Sequence, residues 1–288
     1  MKGTFVTPVA GRVRPMSDLR MRVLSAVVLA PAALGLTILG GPAFSGLVLV
    51  ASLIVLEEWL RLIAGCALRK VAIAGGLGLA LATLAWELGS GTGALAAVLA
   101  GAVAATVIAE PAHRKWVLGG VGYAAALLLP ALALRWDAAY GLAGILFVFA
   151  TVWATDVAAY FVGRAVGGPK LAPRISPKKT WSGSIGGAVA GTAAGCAVVA
   201  FLGIPVPWHL PWQVVAVAFA TSVVSQGGDL FESWFKRRFG AKDSGSLIPG
   251  HGGLMDRLDG VIAAVLFLVL LGLIRGGAGT PAASILIW

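Results

Sequence analysis

The sequence predicts an all-α integral membrane protein of about nine transmembrane helices, with its N-terminus cytoplasmic and its C-terminus outside. Composition is the first reason: of 288 residues, 59% are hydrophobic and 12% charged, too apolar for an ordinary water-soluble domain. Hydropathy is the second. Apolar runs of about 20 residues recur near 23–41, 43–60, 71–88, 93–109, 117–134, 140–162, 183–204, 212–229 and 259–275. The third is charge placement, which orients those runs.

The first span follows Arg12, Arg14, Arg20 and Arg22. Such a start resembles a signal peptide, but the apolar stretch is too long and lacks a convincing small-residue cleavage site, so it reads as a retained helix. With the N-terminus inside, five Lys/Arg precede the first span. Three more fall in 61–70, two in 110–116, five in 163–182 and five in 230–258. Arg135 and Arg275 fall on the other side, so 20 of 22 basic residues share one face, as short cytoplasmic loops require. Adding or losing one helix in the middle would scramble this count. The net charge of +10 therefore belongs mostly to topology, and nucleic acid is not an expected partner.

Residues 1–140 read as about five transmembrane helices with little chemistry of their own. Residues 141–288 carry the remaining helices and two long cytoplasmic loops, 163–182 and 230–258, that hold most of the polar signal. No internal repeat is evident. Gly183, Gly186, Gly187, Gly191 and Gly195 in the seventh span suit close helix packing in lipid, and glycine-rich helices would also allow a homodimer. Cys66 and Cys196 lie in apolar runs and read as small packing residues. His113, His209, Trp208, Trp212 and Trp288 are assigned to structure, the tryptophans as interfacial aromatics.

Acidic residues number twelve, and Asp156, Asp229, Glu232, Asp243, Asp256 and Asp259 belong to the C-terminal half. Asp156 lies within the sixth span and Asp229 at the inner end of the eighth, where an ionised carboxylate is costly unless paired, hydrated or metal-bound. Asp256 and Asp259 are three apart, so on a helix they share one face and could hold a hard divalent cation. Helix capping is the structural alternative. Around them run Ser176-Pro177-Lys178-Lys179-Thr180-Trp181-Ser182-Gly183, Lys242-Asp243-Ser244-Gly245 and Pro249-Gly250-His251-Gly252-Gly253. Basic, glycine-punctuated loops opening into helix N-termini are suited to polyphosphate. Carboxylates with such loops on one face point to a metal-assisted reaction at phosphorus.

The segment Ser233-Trp234-Phe235-Lys236-Arg237, then Lys242-Asp243, then His251-Gly252-Gly253-Leu254-Met255-Asp256-Arg257-Leu258-Asp259 resembles the signature of the phosphatidate cytidylyltransferase (CDP-diacylglycerol synthase) family. It constrains more than ten positions over 27 residues, which makes chance agreement negligible. A second stretch, Asp156, Ala159-Tyr160, Gly163-Arg164, Gly168, Lys170-Leu171, Pro173 and Ser176 to Thr180, is similar to the family's upstream region. Together they cover most of residues 155–260. One position departs: many members have Glu where this chain has Ser182.

The resemblance implies a Mg²⁺-dependent nucleotidyltransferase of the cytoplasmic membrane, its active site facing the cytoplasm. It would convert CTP and phosphatidic acid to CDP-diacylglycerol and pyrophosphate, the first committed step toward phospholipids made from CDP-diacylglycerol. Within that reading Asp229 and Asp256 are the expected metal ligands, with Asp259 as a third ligand or orienting partner and Asp243 in reserve; a second cation is left open. Lys178, Lys179 and Lys242, with Ser176 and Thr180, are expected to hold the CTP phosphates. Arg237 and Arg257 are expected to clamp the triphosphate or the lipid phosphate. His251 is expected to hydrogen-bond and position, because a phosphate nucleophile is already ionised near neutral pH. Two rivals remain. One is a CTP-dependent lipid kinase of the same membrane group; the other is a secondary transporter, against which stand the lack of a repeat and the clustering of polar residues at one face.

Overall fold

The computed structural model describes residues 15–64, 68–202, 211–245, 247, 252–276 and 281–287. Arg12, Arg14, Cys66, Trp208, His209, Pro249, Gly250, His251 and Trp288 lie outside the described residues. The chain forms α1 (Pro15–Leu39), α2 (Gly41–Ala64), α3 (Arg69–Glu87), α4 (Gly91–Ile108), α5 (Arg114–Arg135) and α6 (Gly141–Val166). A hairpin of β1 (Lys170–Ala172) and β2 (Ser176–Thr180) follows, then α7 (Trp181–Phe201), α8 (Trp212–Arg238), α9 (Met255–Gly276) and the short α10 (Pro281–Leu286).

Each expected span falls on one helix, α1 to α9. Among the described residues seven helices, α3 to α9, are long and apolar enough to cross a membrane. Their outward faces are apolar: Leu99, Val103 and Val107 on α4, and Ile185 and Val189 on α7, are exposed at helical spacing. Such surfaces belong against hydrocarbon, and helices satisfy their own backbone groups there. Two features were not expected from hydropathy, the antiparallel hairpin within 163–182 and the buried α10.

The bundle has two distinct polar ends. At one end the end of α2 meets the start of α5 and the end of α8. Trp59 stacks on Phe235 with centroids 3.6 Å apart, donates its indole N–H to the Trp116 carbonyl at 2.8 Å, and Trp116 meets Phe239 edge-on at 5.0 Å. At the opposite end Arg135 donates through Nε to the Thr37 carbonyl at 2.9 Å. There Asp137 accepts from the Ala139 and Tyr140 amides at 3.1 and 2.9 Å, which closes the turn before α6. Its second oxygen accepts from the Ala283 amide at 3.1 Å, so the same carboxylate holds α10 in place.

Helices α6 and α7 approach closely along the glycine stripe expected from the sequence. A Cβ on Gly187 would stand 2.8 Å from the Thr155 carbonyl oxygen, and one on Gly191 2.9 Å from the Thr151 carbonyl oxygen and from Ser222 Oγ. With no side chains intervening, Thr155 and Ser222 share a 2.6 Å hydrogen bond in the interior. The stripe thus fixes α6 against α7 and α8, and with them the acids that those helices carry.

Candidate active site

The residues of the two polar segments converge at the end of the bundle where Trp59 and Phe235 meet. Thr180, the last residue of β2, turns the hairpin into α7 by accepting from the Gly183 amide at 3.1 Å, an N-cap. Ser182 donates to the Gly167 carbonyl at the end of α6 and lies 3.1 Å from Thr180 Oγ1. It therefore links hairpin, α6 and α7. Lys179 is part-buried while Lys178 is exposed and Ser176 is half-buried.

Lys179 Nζ reaches Asp229 Oδ2 on α8 at 2.5 Å. Asp229 follows Gly228, whose missing Cβ would stand 2.7 Å from the Ala263 Cβ of α9; that close crossing sets Asp229 beside Asp259. Asp259 is within electrostatic reach of Asp229, Asp156 and Lys179, and Asp156 of Asp229, Lys179 and Arg257. Asp156, Asp229, Asp259, Lys179 and Arg257 thus belong to one electrostatic neighbourhood, with Asp156 and Arg257 exposed and Asp229 and Lys179 part-buried. From α5, Tyr123 lies within electrostatic reach of Asp259, Glu232 and Asp229.

Asp256 plays a different structural part. Its Oδ2 accepts from the Ser244 amide, the Ser244 hydroxyl and the Gly253 amide, each at 2.9 Å, and its Oδ1 accepts from Lys236 Nζ at 2.5 Å. Lys236 in turn pairs with Glu232, one helical turn earlier on α8, at 2.6 Å. Glu232 is 2% exposed. Breaking such a buried pair from one side costs about 3–5 kcal/mol. Asp256, in the first turn of α9, thus ties Ser244 and Gly253 to Lys236 of α8.

A further acid comes from α2. Glu58, 5% exposed, accepts from the Leu254 amide at 2.9 Å, the Met255 amide at 2.7 Å and the Ser244 hydroxyl at 3.1 Å. Local pattern could not have found it, since its partners lie almost 200 residues away. Glu232 and Lys236 carried a readable signal, opposite charges at i and i+4 on a helix. The remaining expected residues are not brought to the acids: Arg237 is exposed and donates to the Ala241 carbonyl at 3.0 Å, while Lys242 and Asp243 are exposed on the loop.

Among the described residues, no three His, Cys, Asp or Glu side chains converge tightly enough to hold a metal ion by themselves. The donor chemistry nevertheless suits a hard cation. Asp156, Asp229 and Asp259 contribute carboxylate oxygens alone, and Lys179 supplies the positive charge at Asp229. Asp256 could reach a cation through Oδ1 alone, and Lys236 would have to yield.

Comparison with known proteins bears on this geometry. The chain is 43% identical over 277 residues to a phosphatidate cytidylyltransferase of Brucella suis biovar 1, covering 93% of this chain and 98% of that one. A phosphatidate cytidylyltransferase of Haemophilus influenzae is 38% identical over 141 residues, 46% of each chain. One from Staphylococcus saprophyticus is 36% identical over 119 residues, 41% of this chain and 45% of that one. The profile of the cytidylyltransferase family matches residues 20–274, a range that holds every acid and lysine of the site, and the chain belongs to that family.

Proposed function

We propose that this protein is a phosphatidate cytidylyltransferase, joining CTP and phosphatidic acid into CDP-diacylglycerol with release of pyrophosphate. The observation that carries the reading is the Asp156, Asp229, Asp259 cluster with Lys179 and Arg257 at one polar end of an apolar bundle. It lies within the stretch that resembles the family signature and is supported by near-full-length relatives of that activity.

In this reaction a phosphate oxygen of phosphatidic acid forms a bond to the α-phosphorus of CTP, the bond from that phosphorus to the α,β-bridging oxygen breaks, and pyrophosphate leaves with the electron pair. Mg²⁺, when bound, neutralises phosphate oxygens and the charge that develops as pyrophosphate departs. Asp229 and Asp259 are the carboxylates best placed to hold it, with Asp156 beside them and Asp256 organising the loop. Lys179 would turn from Asp229 to a phosphate oxygen, where its ammonium acts as a point charge. Lys178 and Lys242, on exposed segments, would meet the outer phosphates, and Arg257, beside Asp156, the lipid phosphate.

All nine helices α1 to α9 would cross the cytoplasmic membrane with the N-terminus inside, which puts the site on the cytoplasmic side where CTP is found. The pairing of helix ends supports that parity: the end of α2, the start of α5, the end of α8 and the start of α9 meet at one end of the bundle. Arg135 lies at the other.

The test is incubation of purified protein with phosphatidic acid and labelled CTP, with Mg²⁺ and with chelator, following both products. Mg²⁺-dependent appearance of CDP-diacylglycerol and pyrophosphate is expected. Labelled CDP in their place would assign a lipid kinase, and no turnover beside an active control would remove the enzyme reading.

A further inference from the structure

From the contacts of α2 we infer that Glu58 is a positioning residue for the reaction, holding Ser244 and the start of α9 in register with the acids from outside the signature. The inference rests on the cytidylyltransferase reading and adds to it a residue from the first half of the chain.

Glu58 meets the loop at both of its ends. Leu254 and Met255 supply amides that open α9, whose first turn has no intrahelical acceptors for its N–H groups, and Glu58 takes both. Ser244, at the other end, divides its contacts between two acids: its hydroxyl lies 3.1 Å from Glu58 Oε2 and 2.9 Å from Asp256 Oδ2. Gly245 and Gly253 stand against the carboxylate. A Cβ on Gly245 would stand 2.9 Å from Glu58 Oε1, and one on Gly253 2.7 Å from Oε2. From Glu58 the hydrogen bonds run through Ser244 and Asp256 to Lys236 and Glu232. The start of α9, which carries Asp259 one turn on, is thus fixed to α2 and α8 together.

Negative charge at a helix N-terminus is favoured by the helix dipole, and a carboxylate can accept with both oxygens. Glutamine in the same place offers one accepting oxygen and turns an NH₂ group toward a donor. Glu58→Gln should therefore keep the volume and lose the register. Half-buried Glu57, ion-paired with Arg61 at 2.8 Å, serves as the neighbouring control.

The experiment uses the full-length protein in detergent, with CTP, phosphatidic acid and Mg²⁺. Wild-type turnover comes first, because its absence would sink the cytidylyltransferase reading and not the contact. For Glu58→Gln the Mg²⁺ needed for half-activation and the KM for CTP are expected to rise about tenfold or more, with partial recovery in Glu58→Asp and no change in Glu57→Gln. Support alone would lower yield and the active fraction while leaving both constants in place, so values within twofold of wild type in folded Glu58→Gln would overturn the proposal. Should the Glu58 variants fail to fold, hydrogen exchange in wild-type protein decides. The Leu254 and Met255 amides are expected to be protected and to slow further with CTP and Mg²⁺; rapid exchange, or protection indifferent to nucleotide, overturns it.

Discussion

Lys179 Nζ stands 2.5 Å from Asp229 Oδ2, so the ammonium of the hairpin neutralises that carboxylate. On the proposed reading this lysine would serve two partners in turn, the carboxylate before substrate binds and a phosphate after. Lys179→Met should reduce kcat/KM about 10²–10³-fold, the scale for loss of one preorganised electrostatic donor. The same change should tighten Mn²⁺ binding to the nucleotide-free protein, because the carboxylate loses its competitor. Titrating free Mn²⁺ by electron paramagnetic resonance reads the second effect. Weaker binding in the variant would mean that Lys179 assists the ion and does not stand in for it.

Asp229 and Asp256 should fail in different ways. Asp229→Asn removes one carboxylate of the acid cluster and breaks its ion pair with Lys179, in which both side chains are part-exposed, so activity should vanish while stability changes by no more than about 1 kcal/mol. Asp256→Asn leaves Lys236 with Glu232 alone and turns an NH₂ group toward donors. It should lose activity and also about 3 kcal/mol of stability, a fall of roughly 2–4 °C for each kcal/mol. Thermal unfolding in detergent separates the two, and equal melting temperatures would contradict the division of roles.

What was legible in the sequence follows from the range of each signal. Membrane spans are written in runs of neighbouring residues, and each expected run falls on a helix. Asp256 and Asp259 were placed on one helical face by their spacing alone, and α9 begins at Met255 as that requires. Glu58 has no such local mark, since its value comes from a contact across the chain. The hairpin was hidden for another reason. Ser176-Pro177-Lys178-Lys179-Thr180 has Thr180 alone of the branched and aromatic residues of an ordinary strand, and it is held by pairing with Lys170–Ala172 and by the Thr180 cap. Loop chemistry could be read from composition, whereas the ion pair of Lys179 with Asp229, 50 residues on, is a contact across the chain.

Ser182 occupies the position where many members of the family carry Glu. Here its hydroxyl bonds to the Gly167 carbonyl and faces Thr180, a role in holding the hairpin against α6. Ser182→Ala should therefore raise the KM for CTP several-fold through a looser hairpin, with stability lower by about 1 kcal/mol and the Mg²⁺ requirement unchanged. A shift in Mg²⁺ half-activation would instead tie the hydroxyl to the metal site.

Gly191 tests whether the acids depend on helix packing far from them. Its α-carbon lies against Thr155 and Ser222, and any side chain there would meet Ser222 Oγ and the Thr151 carbonyl oxygen within 2.9 Å. Those atoms belong to α8 and α6, the helices that carry Asp229 and Asp156. Overpacking a well-filled interior typically costs about 1–3 kcal/mol, and in a bundle held by close backbone approach the strain is relieved by moving helices apart. Gly191→Leu should thus separate Asp156 from Asp229 and lower kcat even in the fraction that inserts and folds, while Gly122→Leu, at a glycine with open space around it, should not. Comparing turnover per folded molecule for the two variants checks this; equal activity would mean that the hairpin and Glu58 hold the acids without help from the stripe.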